Sequence, residues 1–466
     1  MYTKLTNREW LSFAQYFKVA AKIKLCFSLS FYGFGCLFIC CLFCLPCLVQ
    51  AQSPVLLFKE ISNNVVSPVA ITNAGDGTGR LFIAEAGGTI KIYKNGSILA
   101  KPFLNIASSF PDQIISSIAF HPLYTNNRKF FVYTYNVLHT TITIRSFIAS
   151  SKNPDSAVLS SGKVIFTKTS TSPKPNHTMG DLHFGQDGFL YISVGDGSPI
   201  NGLNNLAQNG QSVFGKMLRI NINEPNPPYY KIPADNPFIG DSTVLDEIWS
   251  IGMRNAWRWS FDRKTGNMWL ADVGKDSVEE VNFTESGKSK GVNFGWSCYE
   301  GNVPFNTTGC KPKSNYIFPI FTYPHDSIGE NSVIGGFVYR GLLFPELKGY
   351  YVCVDYNAGT AWKIKPNANG GWKINKQVNI PKGIAGFGEG DDGELYAISY
   401  DSSKIYQVQT TTAFALNKSG EINVSATTML KPATHPIAAN NRSVIDIKES
   451  GRFTRLIDLG NRKLIR

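Results

Sequence analysis

The chain has 466 residues, enough for one large all-β domain or two ordinary ones. Charged residues are 17% of it, aromatics reach 13% and glycines number 42, a profile of many short strands and tight turns that excludes a helical bundle or a disordered chain. The net charge of +12 is not gathered into a Lys/Arg stripe with interleaved aromatics, which argues against nucleic acid as a partner and for a solvated basic surface.

At the N-terminus Lys4, Arg8, Lys18, Lys22 and Lys24 precede the uncharged run LCFSLSFYGFGCLFICCLFCLPCLV (25–49), which leads into VQAQS. Val49 and Ala51 satisfy the small-residue rule, so residues 1–51 read as a signal peptide cleaved after Ala51 and the protein as secreted, periplasmic or cell-surface. A retained membrane anchor is the alternative, since so long an apolar run can span a bilayer, and a lipid-modified Cys44 or Cys47 is a third. Six of the nine cysteines fall in this leader. Of the others, Cys298 and Cys310 bracket CYEGNVPFNTTGC, and in an exported protein they are expected to form a disulfide. Closing that loop stabilises by about 3 kcal/mol on chain-entropy grounds. Cys353, within GYYVCVDY, reads as a buried thiol.

Downstream, one phrase keeps returning: an apolar strand, a turn rich in Asp, Asn and Gly, then a strand carrying an aromatic. Its copies span 71–93, 117–136, 181–197, 257–274, 336–364 and 384–408. Each alternates apolar and polar residues with period two around its turn, so each reads as antiparallel strands. The expectation is an all-β, six-bladed β-propeller over 52–410, one four-stranded sheet per blade, with a stacked β-sandwich pair as the competing fold. Residues 411–442 are rich in Thr, Ser, Ala and Asn and read as a linker. The tail 443–466 holds two strand-like runs about a turn at 449–451. It resembles a shortened C-terminal sorting module of type IX secretion, without the usual Pro-Asn-Pro opening.

The stretch NHTMGDLHFGQDGFLYISVGDG (176–197) sets a histidine, His177, at the mouth of a hairpin that closes on Asp196 between two glycines. A lone histidine is most often structural. A hairpin that brings an aspartate back beside it supplies a base and its orienter. Together with AFHP (119–122), GKMLRI (215–220), IGMRNAWRWSFDRKTGNMWLADVG (251–274), EEVNF (279–283), VNFGWSCYEG (292–301) and GGFVYRG (335–341), the stretch resembles the glucose/sorbosone dehydrogenase family over about 55–410. That family includes soluble quinoprotein aldose dehydrogenases and hedgehog-interacting-protein-like propellers.

The resemblance implies a cofactor, pyrroloquinoline quinone (PQQ), with Ca²⁺ upon it. It makes His177 the base that takes the C1 hydroxyl proton of an aldose, and Asp196 the residue that holds it. Arg254 and Asn255 match the pair that contacts the quinone oxygens, where a guanidinium stabilises the charge gained on reduction. Gly274 and Lys275 match the backbone carbonyls that hold calcium. Two departures stand out. DQIISSIAFHP replaces the usual Glu/Gln-x-Gly-Leu-Leu-Gly approach, leaving Asp112 or Gln113 to serve the cofactor. Thr360 stands where relatives carry an arginine, with Lys363 the nearest substitute.

Two functions follow from different classes. One is an exported PQQ-dependent dehydrogenase acting on a sugar and passing electrons to an external acceptor. The other is a non-catalytic secreted propeller that binds carbohydrate or protein partners. A metal-dependent lactonase is a third, disfavoured because no set of carboxylates is spread over the blades.

Overall fold

The computed structural model describes residues 53–172, 175–199, 205–326, 329–411, 444–449, 452–458 and 463–465. The leader, and all but Thr411 of the linker, lie outside them. The six repeats are the six blades of a β-propeller. Blade 1 is Pro68–Asn73, Leu81–Glu85 and Thr89–Lys94 with the short Ser97–Ile98 and Leu104–Asn105; blade 2 is Gln113–Phe120, Lys129–Asn136, Thr141–Ala149 and Ala157–Thr169. Blade 3 is Leu182–Phe184, Leu190–Val194, Lys216–Ile220 and Ile248–Ile251; blade 4 is Arg258–Phe261, Met268–Asp272, Val278–Thr284 and Phe321–Pro324. Blade 5 is Val333–Ile334, Tyr351–Asp355, Thr360–Pro366 and Trp372–Gln377.

Blade 6 draws on both ends of the propeller. Ile384–Glu389, Leu395–Ser399 and Lys404–Thr411 take Val55–Ser62 as their outermost strand, with Leu57 opposite Gln409 and Lys59 opposite Gln407. The ring is thereby closed by strand pairing, which leaves no inter-blade seam at the chain ends.

Period two explains the core. On each strand, alternate side chains face opposite neighbours, so the apolar residues divide into one cluster per blade–blade interface. Leu190, Ile192 and Val194 pack towards blade 2, while Tyr191 packs towards blade 4. Met268 and Leu270 face blade 3, whereas Trp269 and Ala271 face blade 5, where Trp269 stacks on Tyr351 at 4.4 Å.

The first strand of each blade lines the central channel, and these strands bond one to the next: Ser116 Oγ donates to Gly180 O, Ser260 Oγ to Gly336 O and Asn73 Nδ2 to Glu389 O. All begin at one end of the channel, here the upper mouth, and finish at the other. Across the channel between them lies the buried guanidinium of Arg258, which donates to Val69 O, Ser116 O and Trp257 O. It partitions the channel into two halves.

The disulfide Cys298–Cys310 is present, and Cys353 is a buried free thiol. Three antiparallel strands, Val444–Glu449, Arg452–Asp458 and Lys463–Ile465, form the C-terminal sheet. Among the described residues no helix is long and apolar enough to cross a membrane.

Candidate functional site

His177 stands on the turn before the first strand of blade 3, and Asp196 on the turn after the second strand. Two backbone bonds hold these turns together, Gly195 N to Met179 O (3.2 Å) and Gly197 N to His177 O (3.1 Å). The approach is so close that a Cβ on Gly195 would lie 2.0 Å from His177 O, which only glycine avoids. His177 itself takes a left-handed backbone, φ 49°, of the kind that collects at functional sites.

The imidazole Nδ1 lies 3.5 Å from Asp196 Oδ1, an ion-pair separation longer than a well-formed hydrogen bond. Asp196 is buried, and its carboxylate accepts the Ser198 N–H (3.0 Å), the Ser198 hydroxyl (2.8 Å) and the Trp296 indole N–H (2.8 Å). Burial opposes its ionisation, yet His177, the Ser198 N–H and Arg254 together hold the carboxyl below its ordinary 3.8.

Blade 4 supplies the rest. Arg254 O accepts the Asp196 N–H at 2.7 Å, which ties the two blades at this point. Asp272, at the end of the second strand of blade 4, accepts the backbone N–H groups of Arg254 (2.8 Å) and Asn255 (2.5 Å) and so sets the course of this segment. Burial pushes the Asp272 carboxyl up, its two N–H donors and Arg254 offsetting part of the rise; burial and the nearby Asp272 push Glu280 up too. The Arg254 guanidinium donates to Val273 O (2.8 Å) and lies over the Trp296 ring at 5.6 Å. Asn255 Oδ1 is buried without a hydrogen-bond partner, an uncompensated acceptor beside the histidine–aspartate pair.

His177, Asp196, Arg254 and Asn255 are thus brought together at the upper mouth. Gly274 and Lys275 follow Val273, whose N–H donates to Asn255 O (3.2 Å), so this loop runs alongside them. Glu300 Oε1 collects the N–H groups of Lys275 (2.6 Å), Asp276 (2.9 Å) and Ser277 (3.0 Å) and shapes the turn. Among the described residues no group of three or more His, Cys, Asp or Glu side chains is arranged to hold a metal ion.

The cofactor-side substitutes fare differently. Gln113 is held within blade 2 by the Thr134 hydroxyl (2.8 Å), and Asp112 is exposed. Thr360 donates to Glu330 Oε1 at 2.8 Å. Lys363 does not join the cluster: its ammonium donates to Pro54 O (2.5 Å) and is 3.3 Å from Gln377 Oε1. The reason is parity, since residues three apart on a strand face opposite sides.

Four further residues belong to this mouth. Asp272 lies within the same sequence motif as the Arg254 and Asn255 it holds, whereas Trp296 is 100 residues from Asp196. His139, on a blade 2 loop, is kept below its ordinary 6.5 by burial and by the nearby His177. Lys216 is fully buried with its ammonium donating to Leu206 O (2.6 Å) and Phe214 O (2.9 Å); burial drives it down to about 7 against the pull of Asp196. In the sequence Lys216 is one of the two charged residues inside GKMLRI. An open cavity of about 600 Å³ bordered by Tyr230, Lys231, Asp246 and Glu247, on the excursion of blade 3, shares no residue with this cluster.

Comparison with known proteins places the chain. The family model described as glucose / sorbosone dehydrogenase matches residues 65–407. HIPL1 protein of Arabidopsis thaliana is 35% identical over 263 residues, 51% of this chain and 37% of that protein. Hedgehog-interacting protein of Mus musculus is 28% identical over 379 residues, 75% of this chain and 51% of that protein. The chain therefore spans about half or less of the length of these relatives. In fold it is similar to the PQQ-bound aldose sugar dehydrogenase of Streptomyces coelicolor, with a TM-score of 0.58 and 17% identity over 77% of this chain and 98% of that one. With its family model spanning nearly the whole propeller, the chain belongs to the glucose/sorbosone dehydrogenase family.

Proposed function

We propose that this protein is an exported PQQ-dependent dehydrogenase that oxidises an aldose or related sugar at C1. The observation that carries the reading is the His177–Asp196 pair at the upper mouth, with Arg254 and the unpartnered Asn255 amide beside it. A guanidinium suits the carboxylates and reduced quinone of such a cofactor, and the orphaned Asn255 Oδ1 beside it calls for a ligand that also brings an N–H or O–H donor. Bound PQQ would supply a quinone as hydride acceptor, and the Gly274 and Lys275 carbonyls would hold the Ca²⁺ that polarises it.

The chain's own groups do the remaining work. Asp196, held anionic, faces His177 Nδ1 and so favours the tautomer with its proton there, leaving Nε2, 3.3 Å from the Asn176 amide, as the proton acceptor. As the sugar hydroxyl gives its proton to Nε2, the imidazolium forms against a carboxylate already in place, so little reorganisation is needed. The 3.5 Å gap is of the kind that tightens in a complex with substrate. Electrons leave to an external acceptor.

A second reading, a secreted propeller that binds carbohydrate or protein, is favoured by the engagement of Thr360 with Glu330 and of Lys363 with Pro54. Each engages a side chain expected to stand in the place of the missing arginine or to substitute for it. Similarity to hedgehog-interacting protein points the same way.

The deciding experiment is dye-coupled oxidation of an aldose panel by the purified protein with added PQQ and Ca²⁺. Turnover that needs both additions and falls about 10²–10⁴-fold in His177→Ala is the expected result. Failure of PQQ to bind or to support turnover transfers the assignment to the binding module.

A further inference from the structure

Below Arg258 the channel opens into a second cavity, of about 350 Å³, at the mouth opposite His177. Phe261, Phe337 and Phe387, from three blades, line it, and its ionisable groups include Asp181, His183, Arg263 and Glu389. Asp181 is saturated: it accepts from the Ser117 hydroxyl, from the Leu182 N–H (2.9 Å) and from His183 Nε2 (3.2 Å). Donation from Nε2 leaves His183 Nδ1 as an acceptor. The His183 ring is fixed edge-on between Trp259, at 4.7 Å, and Phe337, at 5.8 Å.

Glu389 is the opposite case. It is only 9% exposed, yet its Oε1 has no hydrogen-bond partner. Arg263 Nη1 is 4.0 Å away, beyond bonding reach, because that guanidinium donates to Gly390 O (3.2 Å) and Asp391 O (3.3 Å) instead. Burial pushes the Glu389 carboxyl up to about 7. A buried acceptor left open beside a cation that does not reach it is costly unless a third group bridges them.

We propose that this lower cavity is a second ligand site, built for a neutral polyhydroxylated molecule of monosaccharide size. Hydroxyl groups donate to Glu389 Oε1 and His183 Nδ1 and accept from Arg263, while the phenyl rings cover the C–H face of the ring. Neutrality follows from the walls: Arg258 and Arg263 balance Asp181 and Glu389, so a charged ligand brings an uncompensated charge with it. The volume lies in the range of small-molecule pockets with mostly apolar walls and few polar groups. The site does not depend on the dehydrogenase reading, since neither PQQ nor His177 takes part.

Calorimetric titration with methyl β-D-glucopyranoside tests it. That glycoside has no free C1 hydroxyl and offers the upper site nothing to oxidise. The titration is run without PQQ on the wild type, Glu389→Gln, Arg263→Ala and His177→Ala, each checked for an unchanged thermal transition. The expected result is binding by the wild type and His177→Ala, weakened about tenfold or more in at least one of the two lower-mouth variants. Arg263 is partly exposed and bonded to Gly390 O and Asp391 O, so its truncation is the variant for which the thermal transition matters most. Absence of binding to the wild type, retention in both lower-mouth variants, or loss in His177→Ala overturns the proposal. Capture of cyclohexylamine in place of the glycoside overturns the neutral class.

Discussion

At the upper mouth the chemistry-bearing groups stand on turns: His177 before a strand, Asp196 after one, Arg254 and Asn255 between two blades. At the lower mouth His183, Arg258 and Glu389 stand on the strands themselves, and Asp181 borders one. Turn residues are held by a few specific bonds, such as the carboxylate of Asp272 under Arg254 and Asn255. Strand residues are held by the whole ladder. The upper mouth can therefore change its chemistry by local substitution, as the family's spread of dehydrogenases and hedgehog-interacting proteins implies, while the lower mouth is bound to the integrity of the fold.

The sharpest way to break that contrast is to remove the residue between the two halves. Arg258 is buried, donates to carbonyls of three blades and faces Asp181 at 3.9 Å. Arg258→Leu strands those carbonyls and leaves Asp181 with His183 as its sole basic partner among the described contacts. The expected loss is about 3–5 kcal/mol of folding stability, read from denaturant unfolding. Unchanged stability means that the channel layer is not what holds the blades in place.

Two glycines give a matched pair of smaller probes. A Cβ on Gly195 would meet His177 O at 2.0 Å, and one on Gly388 would meet Ile71 O at the same 2.0 Å. Each alanine is expected to cost roughly 1–3 kcal/mol through overpacking. Their effects on function should part: Gly195→Ala displaces the histidine and lowers turnover with PQQ, whereas Gly388→Ala disturbs the strands beside Glu389 and leaves turnover nearly unchanged. Equal effects on turnover would show that the two mouths are mechanically one site.

The same division explains what could be read in the sequence. The six repeats each fall on one blade, because period-two patterning and the turns between strands are local properties. The joining of Val55–Ser62 to blade 6 was not legible, since it pairs residues more than three hundred positions apart. At the upper mouth, the hairpin that returns Asp196 to His177 is short-range and was visible. The bond of Trp296 was not, because nothing local marks an indole that will bond a carboxylate 100 residues away. The place of Lys363 on its strand was not legible either, and its ammonium is engaged by Pro54 O, a residue more than three hundred positions away. Asp181 and His183 lay in the very stretch that drew attention to His177, yet Glu389, which lines the same cavity, stands on blade 6, three blades further along the chain.

The most local expected effect is a pH dependence confined to the lower mouth. Glu389 is surrounded by Arg263, Asp262, Arg340 and Asp392, but burial dominates and lifts its carboxyl from the ordinary 4.5 to about 7. The folded protein then binds a proton more tightly than the unfolded chain, so unfolding releases it and stability falls as pH rises. The contribution is fully present below about 4.5 and is lost by about 7. Glu389→Gln removes that slope, about 3 kcal/mol across the window, when unfolding free energies are compared at a series of pH values. A ligand that donates a hydroxyl to the open carboxylate should do the same by stabilising the charged form, so adding methyl β-D-glucopyranoside to the wild type should flatten the profile while leaving the Gln variant unmoved. A profile that the glycoside does not alter would separate the titration of Glu389 from ligand binding and leave the carboxyl as a strained element of the channel wall alone.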